Sequence, residues 1–249
     1  MARLFVPPEG WTAGELALPQ SEARHAIQVL RLGRGDRVVV FDGTGRHADA
    51  EITSVGKRGA AVRILHVKQM VRPAPGLHLI IALLKGERFD WVVQKATELG
   101  AASIRPVAAT RSVVRTERND ADRKLARWRQ TAVEAAKQCG HLVLPEIFAP
   151  APPEEAFRNA PPGARGIPAL QPRGLPLPEF LGKATGEVTF AIGPEGDWTG
   201  DELRAAGSEG FLPLDLGSLV LRSETAALYV LSATSHQILG GAGGLTRSP

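Results

Sequence analysis

The rhythm of hydrophobic and polar positions changes near residue 75. Before it, apolar residues come in short runs. Arg37-Val38-Val39-Val40-Phe41 closes on Asp42-Gly43-Thr44-Gly45, a strong turn signal. Ala48–Ser54 and Ala60–Lys68 predict two further strands, with a turn at Lys57-Arg58-Gly59. One helix is predicted over Ser21–Leu30, capped by Ser21, with Ala23, Ala26, Ile27 and Leu30 on one face. Short strands and tight turns within about 70 residues predict a small barrel. Val71-Arg72-Pro73-Ala74-Pro75-Gly76 then breaks all periodicity and reads as a linker. The expected domains are 1–72 and 77–249, with 73–76 between them.

Beyond the linker, strands alternate with helices. His78–Leu84 is a buried-type strand, followed by a helix carrying Phe89, Val92, Val93, Ala96 and Leu99 on one face and stopped by Gly100. Ile104–Ala108 is the next strand. Asp122–Gln138 follows as a helix with Leu125, Trp128, Ala132, Ala135 and Ala136 at helical spacing. Pro150–Pro162, with five prolines, reads as a surface loop or ragged helix. Ile167–Leu170 and Glu187–Gly193 resume as strands, and Thr199-Gly200-Asp201-Glu202 opens a helix with a capping box. Phe211–Leu214 and Leu219–Leu221 are predicted as short strands, Glu224–Leu239 as a long terminal helix, and Gly240, Gly241, Gly243 and Gly244 as a flexible tail. Such alternation predicts an α/β domain with a mainly parallel sheet.

The 249 residues, 43% hydrophobic and 22% charged, can build a real core, which excludes a disordered chain. The longest apolar run, Leu77–Leu84, falls far short of the roughly 18 residues of a membrane span. The N-terminus lacks the apolar core of a signal peptide, so a soluble cytoplasmic protein is expected. Cys139 is the single cysteine and the six histidines are scattered, so neither a disulfide nor a metal site is expected. The net charge of +4 conceals an asymmetry. Residues 1–148 carry +8 and the remainder −4, and arginine outnumbers lysine 23 to 7. Arginine is the better bidentate phosphate ligand, so a polyanion partner on the N-terminal side is indicated.

No phosphate-binding loop and no strand-borne Gly-x-Gly-x-x-Gly is present. Two other loops stand out. In Ile192-Gly193-Pro194-Glu195-Gly196-Asp197-Trp198, glycines on both sides of Pro194-Glu195 allow close backbone approach to a ligand at the carboxyl end of a sheet. In Leu216-Gly217-Ser218-Leu219-Val220-Leu221-Arg222-Ser223-Glu224, an apolar stretch ends abruptly in charge and enters a helix. Together they describe an apolar slot floored by backbone amides, with one arginine and two acids at its mouth. That chemistry suits an adenine ring better than a run of phosphates.

These two loops, with Leu216-Gly217-x-x-Val220-Leu221-Arg222-x-Glu224-Thr225-Ala226, resemble the ribosomal RNA small subunit methyltransferase E family. So do Arg24-His25-x-x-x-Val29-Leu30-Arg31-Leu32, the segment Lys85-Gly86-x-Arg88-x-Asp90 through Gly100, Arg111-Ser112, and Glu134-Ala135-x-x-Gln138. The resemblance covers nearly the whole chain. It implies a PUA-like β-barrel followed by a SPOUT-class α/β domain tied into a C-terminal trefoil knot. It also implies a homodimer that uses S-adenosylmethionine to methylate N3 of a uridine in 16S rRNA of the small ribosomal subunit. Two departures stand out: Asp197 and Trp198 follow Gly-Pro-Glu-Gly where the family carries glycine and an aromatic, and His141 stands where it carries arginine.

Carried onto this chain, the cofactor slot comprises Leu170, Gly193, Pro194, Glu195, Gly196, Leu214, Leu216, Gly217, Leu219 and Leu221. Arg222 would stabilise charge developing on the uracil carbonyls, and Glu195 or Glu224 would accept the N3 proton; the sequence does not choose between them. Arg24, His25, Arg31, Lys85, Arg111 and Arg115 are assigned to RNA, against an alternative in which some of these cations pair with Glu22, Glu87 or Glu98. Two rival readings stay open: a non-catalytic RNA-binding protein, and a SPOUT methyltransferase acting on another RNA position.

Overall fold

Apolar alternation in the first seventy residues produces strands whose inward side chains meet. The computed structural model describes residues 1–11, 14–56, 59–112, 118–169 and 174–241. It divides into two units, Met1–Arg72 with Val133–Leu144, and Pro73–Ala132 with Pro145–Pro249. In the first unit β1 (Ala2–Phe5), β2 (Glu15–Ala17), β3 (Arg37–Phe41), β4 (Arg46–Gly56) and β5 (Gly59–Gln69) form one sheet in the order β1-β3-β4-β5-β2. The β1–β3 pair is parallel and the others are antiparallel. Val38, Val40, Ala48, Ala50, Ile52 and Val62 point inward with Leu4 and Leu16, all fully buried.

The helix of this unit differs from its expectation. It begins at Gln20 behind Pro19 and has no side-chain cap, so Ser21 does not cap it. This α1 (Gln20–Arg24) runs into a wider turn over His25–Val29, where the Leu30 N–H reaches five residues back to the His25 carbonyl at 3.0 Å. The wider turn rotates the apolar face, leaving Ala23 and Ala26 buried but Leu30 38% exposed. Lys57 and Arg58 lie outside the described residues.

The second unit contains, in chain order, β6 (Leu77–Ala82), α2 (Arg88–Glu98), β7 (Ser103–Val107), α3 (Arg118–Cys139), β8 (Glu146–Ile147), α4 (Pro153–Arg158) and β9 (Gly163–Pro168). It continues with β10 (Leu175–Pro176), α5 (Leu177–Lys183), β11 (Glu187–Ile192), α6 (Gly200–Ser208), β12 (Leu212–Asp215) and α7 (Ser223–Gly241). Its seven strands are all parallel, in the order β10-β12-β9-β11-β6-β7-β8. The central strands β6 and β11 are buried on both faces, as helices on both sides of a parallel sheet require. At their amino ends His78 bridges Ser103 Oγ (2.8 Å) and Glu187 Oε2 (2.7 Å), tying β6, β7 and β11 together.

Phe89, Val92, Val93 and Ala96 form the buried face of α2, and Trp128 of α3 stacks against Phe89 with centroids 4.3 Å apart. The last turns of α3 belong to the first unit. There Lys137 Nζ meets Glu22 Oε1 at 3.0 Å, with both side chains under 10% exposed. Glu22 is therefore the partner of Lys137, and Glu98 of Lys95, rather than of any cation assigned to RNA.

Within Pro150–Pro162 the helix alternative holds: α4 forms with Pro153 in its first turn, where a missing N–H costs nothing. Two other local readings give way. Leu219–Leu221 is irregular rather than a strand, with Leu219 75% and Val220 78% exposed. Gly240 and Gly241 complete α7 instead of leaving it, and Gly243 and Gly244 lie outside the described residues.

Candidate functional site

The carboxyl ends of parallel strands collect loops, and here two of them enclose a cavity. The loop after β11 turns at Pro194, whose carbonyl accepts from the Asp197 N–H at 2.9 Å. Asp197 has φ 61, and its Oδ1 accepts from the Trp198 N–H at 2.8 Å. That left-handed backbone is one glycine adopts freely, and aspartate is among the few other residues that tolerate it. Trp198 is buried against Phe157. A Cβ on Gly193 would lie 3.0 Å from its indole Nε1, tighter than an ordinary contact, so any side chain there requires the ring to give way.

The expected capping box closes this loop. Thr199 Oγ1 accepts from the Glu202 N–H at 3.2 Å, and Glu202 Oε2 accepts from the Thr199 N–H at 2.7 Å. Glu202 Oε1 also accepts from the Thr110 N–H at 2.8 Å, which brings in the loop after β7. Burial would raise the Glu202 carboxyl, but the N–H groups of Thr110 and Thr199 and the threonine hydroxyls outweigh it and hold it below its ordinary value.

The loop after β12 is held at its two ends. Asp215 Oδ1 accepts from the Gly217 N–H at 2.8 Å, and Gly217 has φ 114. At its far end Ser223, the first residue of α7, donates its hydroxyl to the Gly193 carbonyl at 2.7 Å and so joins the two loops. Between them lies a cavity of about 400 Å³. Gly193, Pro194 and Glu195 line it on one side, and Leu214, Leu216, Gly217, Leu219 and Leu221 on the other. Pro168 and Gly174, which sequence reasoning did not name, also line it, as do Ser223 and Ala226, which it quoted in a motif but did not assign to the slot. Gly196 is not part of the lining; it lies against Arg111. Leu170 lies outside the described residues.

The two acids named from sequence meet at a third residue. Arg88, at the start of α2, bonds Glu195 through Nη1, and the same nitrogen lies 3.8 Å from Glu224 Oε1. The hydrogen bond to Glu195 pushes the Arg88 guanidinium above its ordinary value. Glu224 Oε2 is buried and has no hydrogen-bond partner among the described residues. Arg222 is exposed at the head of α7. Arg88 was visible in sequence only as part of the Lys85-Gly86-x-Arg88-x-Asp90 segment. Its role needs the sheet order, which sets β6 beside β11.

The cations assigned to RNA divide between the units. Arg24 and Arg31 are exposed and His25 half-buried in the first, while Lys85 is exposed and Arg111 engaged with the β11 loop in the second. Arg115 lies outside the described residues. His141 has neither ring nitrogen hydrogen-bonded among the described residues, and burial, with the Arg72 charge, holds it below its ordinary value. Among the described residues no cluster of three or more His, Cys, Asp or Glu could hold a metal, and no helix is long and apolar enough to cross a membrane.

Comparison with known proteins meets this geometry from outside. A family profile described as the RNA methyltransferase domain matches residues 72–235, and one described as the RNA methyltransferase PUA domain matches residues 18–65. The ribosomal RNA small subunit methyltransferase E of Synechocystis is 31% identical over 92% of this chain and 76% of its own length. A Neisseria gonorrhoeae ribosomal RNA small subunit methyltransferase E, solved with S-adenosylmethionine, superposes with a TM-score of 0.84 at 31% identity, covering 95% of this chain and 97% of that one. A Legionella pneumophila protein described as a methyltransferase, also solved with S-adenosylmethionine, gives 0.86 at 33% identity over 94% and 96% of the two chains. An α/β architecture with a PUA-like N-terminal unit, an all-parallel sheet and two joined loops at its carboxyl edge thus accompanies full-length similarity: the chain belongs to the ribosomal RNA small subunit methyltransferase E family.

Proposed function

We propose that this protein methylates small-subunit rRNA with S-adenosylmethionine, and that its target is N3 of a uridine in 16S rRNA. The observation that carries this reading is the convergence of Glu195 and Glu224 on Arg88 at the edge of a cavity lined by leucines and loop backbone. At about 400 Å³ the cavity suits an adenosyl group. Loop amides and carbonyls answer the mixed donors and acceptors of an adenine edge, and the leucines cover its faces. When bound, the cofactor supplies an already activated methyl group, which leaves positioning and proton transfer to the protein.

Neutral uracil N3 has no free lone pair, so its proton must leave. Glu195 or Glu224 accepts it, and Arg88, bonded to Glu195 and 3.8 Å from Glu224, holds the two carboxylates in place. Arg222, exposed beside Glu224, stabilises the charge that develops on the uracil carbonyls. Arg24, His25, Arg31, Lys85 and Arg115 grip the RNA backbone, consistent with the +8 charge of residues 1–148.

The same proposal extends to the architecture. The register shifts that bend β4 and β5 support closure of the first sheet into a barrel. β12 lies between β9 and β10, two strands consecutive in sequence, and a Cβ on Gly174 would run into the Pro213 backbone. A later strand inserted between two consecutive parallel strands and running on into α7 supports a trefoil knot, against the usual rule that connections do not thread. The exposed Leu219, Val220 and Tyr229 suit burial against a second copy, making a homodimer that works in the cytoplasm.

Incubation of the enzyme with labelled S-adenosylmethionine and small subunits lacking the modification tests the reading. The expected product is 3-methyluridine. Label on a ribose 2′-oxygen or in transfer RNA would replace the target, and saturable RNA binding without any transfer would leave a binding protein.

A further inference from the structure

Arg111 follows β7, a strand separated from β11 by β6, yet its side chain reaches the loop after β11. Nη1 donates to the Gly196 carbonyl at 2.9 Å and to the Trp198 carbonyl at 3.3 Å. Its stem lies flat on Gly196, where a Cβ would stand 3.1 Å from Arg111 Cβ and 3.4 Å from Cδ. The backbone beside it is fixed as well, since the Thr110 N–H is held by Glu202.

The consequence appears when the peptide planes are taken in turn. The 196–197 plane has its carbonyl on Arg111 and its N–H on the Pro194 carbonyl. The 197–198 plane has its N–H on Asp197 Oδ1. The 198–199 plane has its carbonyl on Arg111 and its N–H on Glu202 Oε2. Two of these three planes therefore depend on one guanidinium. On the opposite side of the same loop, Gly193, Pro194, Glu195 and Asp197 line the cavity. Arginine suits this task because one Nη1 carries two N–H bonds, each free to take a carbonyl, at the end of a stem long enough to cross from the loop after β7.

We infer that Arg111 is a positioning residue that sets the backbone of the cofactor loop, rather than a phosphate contact to RNA. This rests on the proposal that the cavity takes S-adenosylmethionine. It also gives Gly196 a purpose: the glycine makes room for the arginine stem, not for the cofactor.

The test compares wild type with Arg111→Ala and Arg111→Lys, using three measurements on the full chain. These are S-adenosylmethionine affinity by calorimetry, RNA affinity against salt, and deuterium uptake of peptides spanning 193–199. Losing both charge-assisted bonds should weaken cofactor binding about tenfold, and lysine, able to keep one, should weaken it about threefold. At saturating cofactor kcat should stay within about threefold of wild type, because the loss falls on ground-state binding. Uptake in 193–199 should rise in Arg111→Ala, and the salt slope should not change. Unchanged uptake in folded Arg111→Ala, or unchanged cofactor affinity in either folded variant, overturns the inference. So does a log–log salt slope flattened by roughly 0.7–0.9 with normal cofactor binding, the signature of a lost phosphate contact. Wild type without saturable cofactor heat would instead sink the proposed function, and uptake alone would then decide the role of Arg111.

Discussion

The two loops around the cavity solve one task in opposite ways. The loop after β11 is braced from three directions: Trp198 is buried beneath it, Arg111 holds two of its carbonyls, and Glu202 anchors its exit. In the loop after β12, Asp215 accepts from the Gly217 N–H, Ser223 ties the far end to Gly193, and exposed apolar side chains lie between them. A braced wall fixes where a ligand sits, while a lightly held apolar wall can close over it. Both follow strands of the same sheet, so the difference lies in what packs against each loop.

That contrast can be broken at the braced wall first. Gly193→Val should weaken S-adenosylmethionine binding by about a hundredfold, because its side chain must displace the Trp198 ring or the ligand. Normal affinity in calorimetry would show that the wall yields.

Next in size is Glu202→Gln, which should destabilise the fold by about 1–2 kcal/mol, read as a lower denaturation midpoint. Its pH dependence has a definite sign. The folded-state pKa of Glu202 lies below the ordinary 4.5, so its contribution is present above that value and fades as pH falls through the lowered one. The gap between wild type and variant should therefore shrink below about pH 4.5. A gap that widens in acid would refute the assignment.

On the other wall, Gly217→Ala should cost about 1 kcal/mol through its φ of 114 alone, since nothing lies within 4 Å of the added methyl. A larger loss would mean that this loop is more tightly held than its hydrogen bonds indicate. The smallest effect belongs to Leu219→Ser. With Leu219 75% exposed, stability should stay within about 0.5 kcal/mol, while cofactor affinity drops a few fold. A shift of several degrees in the unfolding temperature of the isolated chain would overturn that view.

How much of this was legible in the sequence follows the range of each interaction. The capping box spans four residues, and its chemistry is written in Thr199 and Glu202 themselves. Both loops were visible because glycine and proline punctuate the ends of apolar runs. The Arg88 bridge was not, because it depends on β6 and β11 becoming neighbours across more than a hundred residues. The short strands β1 and β2 escaped for the same reason, since their partners, not their own patterns, make them strands. Leu219–Leu221 misled in the other direction. Branched apolar residues there form the lip of a cavity, and periodicity does not distinguish a lip from a buried strand.

The edges of the seven-stranded sheet have a consequence for handling this protein in solution. Its interior strands carry the sticky sequences Leu79-Ile80-Ile81 and Val188-Thr189-Phe190-Ala191-Ile192, which would template aggregation if offered to a neighbour. What the finished sheet offers at either end is a strand of only two residues: Glu146-Ile147 on one side and Leu175-Pro176, with a residue lacking an N–H, on the other. An incoming chain finds almost no ladder to extend. The hazard therefore lies in the interval before β8 and β10 dock. Losses on refolding should rise with protein concentration while the native protein tolerates concentration well.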